Sequence, residues 1–211
     1  MLVERIMTSP VETLHEDDTI HSAMNLMSRL SFRHIPIVDD NNDLVGIVSD
    51  KDLNLALPSI AGEDQDISLD LQLNKIMRQQ VTTCHPLDFV EEIAKDFYHY
   101  GIGAIPVMRG KKIVGIVTQK DMLNTFLELT GIREPGSIIE IDIQDRMGII
   151  YDLGKIFKDL NIKIASISIY ANSEKKGHKI IVLRIEAMNP LIAIEKLEEA
   201  GFNVISPGGM H

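Results

Sequence analysis

Up to Leu129 the apolar residues follow a pattern that is written twice. Ile20, Ala23, Met24 and Met27 fall at helical spacing, and Val90, Ile93, Ala94 and Phe97 repeat them position for position. Asp18 and Asp88 stand where an N-cap belongs, with Glu91 three residues after Asp88 to complete a capping box. Each helix is followed by a hairpin, tipped by Asp40-Asn-Asn-Asp43 in one copy and Gly110-Lys-Lys112 in the other. Each hairpin leads into a heptapeptide, Gly46-Ile-Val-Ser-Asp-Lys-Asp52 or Gly115-Ile-Val-Thr-Gln-Lys-Asp121, read as a buried strand running into a helix. Ile6-Met7 returns as Ile76-Met77, His15 as His85, and Ile35-Pro36 as Ile105-Pro106, each seventy positions on. Gly46 and Gly115 are sixty-nine apart, so the second copy is one residue shorter at the hairpin tip, where a change leaves the strand faces intact. The unit is an entry strand, a helix, a hairpin and a second helix, and two units pack about a pseudo-twofold axis. Met24, Met27 and Met77 read as core filler.

Between the copies, Ala56 to Asn74 read as a solvated, partly helical linker holding Pro58, Gly62 and the acidic residues Glu63, Asp64, Asp66 and Asp70. Thr130-Gly-Ile-Arg-Glu-Pro-Gly136 punctuates the chain as a domain boundary. Then the period changes. Ile139, Ile141 and Ile143 alternate with Glu140 and Asp142 as a half-buried strand, and Ile149, Leu153, Ile156 and Leu160 step as a helix. Strands around 162–170 and 179–186 flank the turn Asn172-Ser-Glu-Lys-Lys-Gly177. Asn189-Pro190 opens a helix that closes at Gly201, and Phe202 to Ile205 form a last strand. The order βαββαβ predicts a ferredoxin-like antiparallel sheet with two helices on one face.

Composition narrows the function. The 211 residues are 45% hydrophobic and 25% charged, ordinary for a globular protein. A net charge of −10 with no basic run argues against nucleic acid and anionic lipid as partners. No apolar run approaches the roughly 18 residues of a membrane helix, and the start lacks a secretion-signal layout. With Cys84 as the single cysteine there is no internal disulfide, and a cytoplasmic location is expected.

The heptapeptides carry the candidate chemistry. A helix start favours phosphate, and a carboxylate one turn further on can accept from a pair of sugar hydroxyls. Ser49-x-x-Asp52 and Thr118-x-x-Asp121 are equally capping boxes, which satisfy orphan amides and need no ligand. Catalytic patterns are missing. No His-x-x-x-His, Walker A loop or Gly-x-Ser-x-Gly elbow occurs, His15 and His85 lie in matching loops, and Cys84 reads as a buried thiol.

The repeated unit resembles the CBS domain, and two in tandem resemble the CBS pair, or Bateman module. The resemblance rests on Met7-Thr-Ser-Pro10, on His34-Ile-Pro-Ile37 and on the two heptapeptides. The C-terminal unit resembles an ACT domain through Asp145-Arg-Met-Gly148, with Met147 where that family often has proline. A CBS pair followed by one ACT domain is similar to the acetoin-utilisation AcuB family over the whole chain. The expected fold class is therefore α+β: CBS repeats at 1–60 and 76–130 about a linker at 61–75, then a linker at 131–136 and a ferredoxin-like ACT domain at 137–211.

CBS pairs commonly bind AMP, ADP, ATP or S-adenosylmethionine in clefts between repeats. The resemblance implies Asp52 and Asp121 on ribose hydroxyls, Ser49 and Thr118 near phosphate, and Thr13 and Thr83 beside the base with Ile37 and Val107 close by. Arg33 and His34 would face a phosphate in one cleft, although Arg33 as a plain surface residue stays open. Gly103 and Ala104 replace them in the other copy, so the two sites are not expected to be equivalent, while Lys51 and Lys120 are shared. The ACT resemblance implies a small effector, often an amino acid, at Asp145, Arg146 and Gly148, unless Gly148 only permits tight packing. A homodimer or higher homo-oligomer is expected, formed through sheet edges or helices. These implications describe a non-catalytic regulator without a metal or cofactor beyond its regulatory nucleotide, acting on an unidentified protein. The AcuB resemblance places it in acetoin or acetyl-CoA metabolism. A ligand-independent scaffold and an amino-acid sensor working through the ACT unit are the alternatives.

Overall fold

The structure, a computed structural model, describes residues 1–57 and 69–206. It divides into two compact units, Met1–Leu123 and Asn124–His211, so the division falls within a helix, earlier than the punctuation at Thr130. Of the expected linker, Pro58, Gly62, Glu63, Asp64 and Asp66 lie outside the described residues.

In the first unit each copy places one helix over a short hairpin. The first copy has β1 (Leu14–His15), α1 (Ile20–Leu30), β2 (His34–Val38), β3 (Leu44–Ser49) and α2 (Asp50–Ala56). The second has α3 (Val90–Tyr100), β4 (Ala104–Arg109), β5 (Lys112–Thr118) and α4 (Gln119–Leu129), its entry strand reduced to a bridge between Cys84 and Val107. Both hairpins slip register at the same place, Ile37/Val38 and Val107/Met108, which is duplication visible in the backbone. The apolar stripe of α1 (Ile20, Ala23, Met27) packs on Ile35, Ile37 and Val48. That of α3 (Ile93, Phe97) packs on Ile105, Val107 and Val117.

The lead segments are exchanged. Val3, Ile6 and Met7 pack into the core of the second copy, and Leu73, Ile76 and Met77 into that of the first. Backbone bonds fix the exchange: Thr8 pairs with Ile116 and Arg78 with Ile47, while Leu73 N–H donates to the Asp18 carbonyl at 2.8 Å. Leu73, expected in a solvated linker, is therefore fully buried in the first core, and the next residue, Asn74, is tied to that copy by donating its N–H to the Glu16 carbonyl at 3.0 Å. The exchange explains the leading glycine of each heptapeptide. A Cβ at Gly46 would lie 2.5 Å from the Met77 sulfur, and one at Gly115 would lie 2.7 Å from the Met7 sulfur and 3.0 Å from the Thr8 carbonyl oxygen.

The helix starts differ from expectation. Thr19, not Asp18, caps α1, its hydroxyl accepting from Ser22 N–H at 3.2 Å. Helix α3 follows Phe89 without a side-chain cap. The Asp18 and Asp88 carboxylates instead accept from His15 and His85 N–H, each at 2.7 Å, and close the turn before each helix. Glu91 reaches the N-terminal amine of Met1 at 3.2 Å rather than completing a box. A carboxylate spent on the preceding turn is not available to the helix.

The second unit runs β6 (Ser137–Gln144), α5 (Ile149–Asp159), β7 (Ile164–Ala171), β8 (His178–Ile185), α6 (Leu191–Glu199) and β9 (Asn203–Ser206). The sheet order is β7-β8-β6-β9, all neighbours antiparallel. Ile139, Ile141, Ile143, Ile181, Leu183 and Ile185 form one face with Leu153 and Phe157 of α5 and Ala193 and Leu197 of α6. Pro190, not Asn189, is the N-cap of α6, and Asn189 Oδ1, one residue earlier, accepts from Leu191 N–H at 3.0 Å. On the other face Arg184 donates to the carbonyls of Ile132 and Glu134, and Ser166 donates to that of Thr130 at 2.7 Å. The punctuating segment is thus tied down on this sheet.

Asp142, buried on β6, accepts from Lys175 at 2.8 Å, from Asn172 at 3.0 Å and, through its first oxygen, lies 3.0 Å from His178 Nδ1. These bonds, Lys175 foremost, hold its carboxyl well below the usual carboxylate range and pin the β7–β8 turn. A carboxyl lowered in the folded state adds stability above its unfolded value, about pH 4, and loses it as pH falls further. Asp142→Asn is accordingly expected to be less stable than wild type at neutral pH, with the gap closing as pH drops below about 4 in urea titrations. Gly46→Ala and Gly115→Ala are expected to cost about 1–3 kcal/mol each by overpacking, read in the same titrations at neutral pH.

Candidate functional site

The two heptapeptides fold alike. Ser49 is the N-cap of α2, and its box with Asp52 is reciprocal: Asp52 N–H donates to Ser49 Oγ at 3.2 Å, and Ser49 N–H and Oγ donate to Asp52 Oδ2 at 3.0 and 2.6 Å. Thr118 and Asp121 repeat it at 3.3, 2.8 and 2.7 Å. Capping is therefore realised in both copies, and it uses Oδ2 of each carboxylate. Asp52 Oδ1 is turned the other way, toward Arg78 Nη2 at 3.4 Å.

Asp52 and Arg78 both line a cleft of about 260 Å³ between the copies. One wall is Ile47 to Asp52, the other Gly101 to Ala104, with His34 and Arg78 between them. Three elements supply the polar groups. The cap of α2 aims Asp52, the bridge to Ile47 aims Arg78, and the start of β2 carries His34. His34 fits because residue 103 is glycine, where a Cβ would come 2.5 Å from Nε2. Burial pulls the His34 imidazole below its ordinary pKa, against the opposing pull of Asp50 and Asp52. Helix α2 has only seven residues, so the grip on an anion falls to side chains more than to its dipole.

Of the expected site residues, Ser49, Lys51, Asp52 and His34 line this cleft. Arg33 does not; its side chain is 80% exposed and lies 3.7 Å from Asp50. Ile37 and Val107, expected beside a base, are fully buried in the two cores and cannot touch a ligand there. Half-buried Thr13 precedes β1, exposed Thr83 precedes Cys84, and neither lines the cleft. Thr118, Lys120 and Asp121 occupy the matching place of the second copy. There Thr8 stands for Arg78 and Arg33 for Gly103, so the chemistry is not duplicated. Arg78 is a cleft residue that the motifs do not mark, although comparing Met77-Arg78 with Met7-Thr8 carries the signal. Cys84 is buried, and burial above all pushes its thiol up to about 12.

In the second unit Asp145, Arg146 and Gly148 border a depression of about 280 Å³ whose apolar side includes Ile150, Tyr151 and Ile169. Gly148 takes φ 82°, which favours glycine and lets the chain enter α5. Asp145 is paired with Lys179 at 3.1 Å, and Arg146 with Asp152 at 2.6 Å. Among the described residues no helix is long and apolar enough to cross a membrane, and no group of three or more metal-ligating side chains gathers.

A family model for the CBS domain matches residues 3–59 and 73–128, more than half of the chain. The chain belongs to the CBS domain family. A CBS domain-containing protein of Dictyostelium discoideum is 30% identical over 135 residues, 61% of this chain and 93% of that protein. An L-aspartate semialdehyde sulfurtransferase of Methanocaldococcus jannaschii is 32% identical over 126 residues, 59% of this chain but only 23% of the enzyme. Among solved structures, the CBS pair is similar to a Vibrio cholerae protein described as an acetoin utilization protein, AcuB. Their identity is 35%, over 64% of this chain and 98% of that one, with a TM-score of 0.54. It is also similar to the CBS domain pair of protein MJ0100 in complex with 5′-methylthioadenosine and S-adenosyl-L-methionine. There the identity is 30%, over 60% and 95% of the chains, with a TM-score of 0.52.

The caps of this CBS pair are testable apart from any ligand. Ser49→Ala and Thr118→Ala each remove one hydroxyl and are expected to cost about 1 kcal/mol in chemical denaturation.

Proposed function

We propose that this chain is a non-catalytic regulator that senses an adenosine nucleotide, AMP, ADP, ATP or S-adenosylmethionine, in the cleft between its CBS repeats. The observation that carries the reading is the split role of Asp52: Oδ2 secures the helix while Oδ1 meets Arg78, and both residues line a cleft walled by both repeats. Ribose hydroxyls donate to Oδ1 in place of Arg78, and the released guanidinium turns to phosphate with Lys51 and His34 beside it. Because the walls belong to different repeats, the ligand favours one arrangement of the pair. Such coupling is typically about 1–3 kcal/mol, a change of roughly 5- to 150-fold in partner affinity. The adenosine ligands of the MJ0100 pair and the likeness to AcuB support a sensor in acetoin or acetyl-CoA metabolism. The second unit is, in this reading, a ferredoxin-like ACT domain that supports a cytoplasmic homodimer. The depression at Gly148 favours one second reading, an amino-acid effector bound there, although Lys179 already occupies Asp145.

A melting experiment tests these readings. Ligand at a hundred times its dissociation constant is expected to stabilise the fold by about 2.7 kcal/mol, at roughly 2–4 °C per kcal/mol for a chain of this size. AMP, ADP, ATP and S-adenosylmethionine are run against a panel of amino acids. Asp52→Asn keeps the size of the side chain and is expected to abolish the nucleotide shift. No shift with any nucleotide rejects the sensor, and a shift only with amino acids transfers the function to the second unit.

A further inference from the structure

His34 occupies a position that the repeat does not duplicate: the matching residue is Ala104, which stands on the opposite wall of the same cleft. Its ring is wedged over Gly103, where an added Cβ would lie 2.5 Å from Nε2 and 2.6 Å from Cε1. The side chain is half-buried, and among the described residues the ring makes no hydrogen bond. The groups that face it are Asp50 and Asp52 of α2, Arg33 ahead of β2, and Arg78 from the exchanged lead segment. Lys51 lies on the same wall as the aspartates, and the Gly101–Ala104 wall carries nothing titratable. Burial outweighs the two aspartates and holds the pKa of the ring below its ordinary value.

A phosphate monoester changes that balance. It brings close to two negative charges and three acceptor oxygens, and imidazolium donates from both nitrogens where neutral imidazole donates from one. We propose that His34 is the proton-linked phosphate contact of the cleft: it takes up a proton as a phosphate-bearing adenosine ligand binds, and so makes affinity for that ligand strengthen on acidification. The inference rests on the nucleotide reading above and adds regulation to it. The sign follows from linkage. Binding favours the protonated ring, so affinity is highest where the free ring is already charged and declines as pH rises past the value of the bound ring. A rise of one pKa unit on binding corresponds to a tenfold change in affinity. The phosphate's own second ionisation, near pH 6, opposes the trend below that value, where the dianion is lost.

Isothermal titration of the full chain with AMP and with adenosine, at several pH values from about 6.5 to about 8 and in buffers of different ionisation heat, tests this. Wild type is expected to take up a fraction of a proton with AMP and to bind it several-fold more weakly at the alkaline end, whereas adenosine shows neither effect. His34→Gln keeps a hydrogen-bonding side chain without the charge, and is expected to bind AMP with no proton uptake and a flat or reversed slope. Equal proton uptake by wild type and His34→Gln overturns the proposal, as does wild type that binds AMP and adenosine with the same slope. That wild-type comparison holds even if the variant fails to fold. Absence of AMP binding at every pH overturns this proposal, whereas the parent reading falls only if ADP, ATP and S-adenosylmethionine also fail to bind.

Discussion

The first unit depends on the exchange of two short lead segments. Met7 lies against Gly115 and Met77 against Gly46, each sulfur within 3 Å of where a side chain would begin. Neither repeat completes its core alone, since Val3 fills one and Leu73 the other. The cleft follows from this contact. Arg78 reaches Asp52 only because the residue before it is laid across Gly46 and its own backbone is bonded to Ile47.

The same economy governs Asp52. A carboxylate has two oxygens, and the capping box uses one of them, so stabilising the helix and presenting an acceptor to the cleft do not compete. Structural and functional readings of Ser-x-x-Asp are therefore compatible at this position, and only the environment of the second oxygen separates them. Duplication preserved the box in both copies and left the surroundings free to diverge, with Arg78 against Thr8 and Gly103 against Arg33.

Much of this is legible in the sequence because its information is local. Helical spacing locates α1 and α3, alternation locates β6, and the seventy-residue offset is enough to reveal the doubling. What escapes is non-local or competitive. Periodicity says that Ile6-Met7 is repeated, but not that it packs on the other copy. Asp18 and Asp88 have the residue type that suits a cap, yet the nearer His15 and His85 amides claim them. Position in a motif puts Ile37 and Val107 beside a ligand, whereas complete burial removes them from any surface. Arg78 escapes a reading built on what the copies share, because it is a residue in which they differ.

The exchanged segments also bear on how such a chain can change over generations. A methionine and the glycine beneath it lie thirty-one positions apart in one pair, Gly46 and Met77, and far more in the other, Met7 and Gly115. A side chain added at either glycine would crowd a methionine from the far end of the pair, so a substitution in one part of the chain presses on a residue supplied by another.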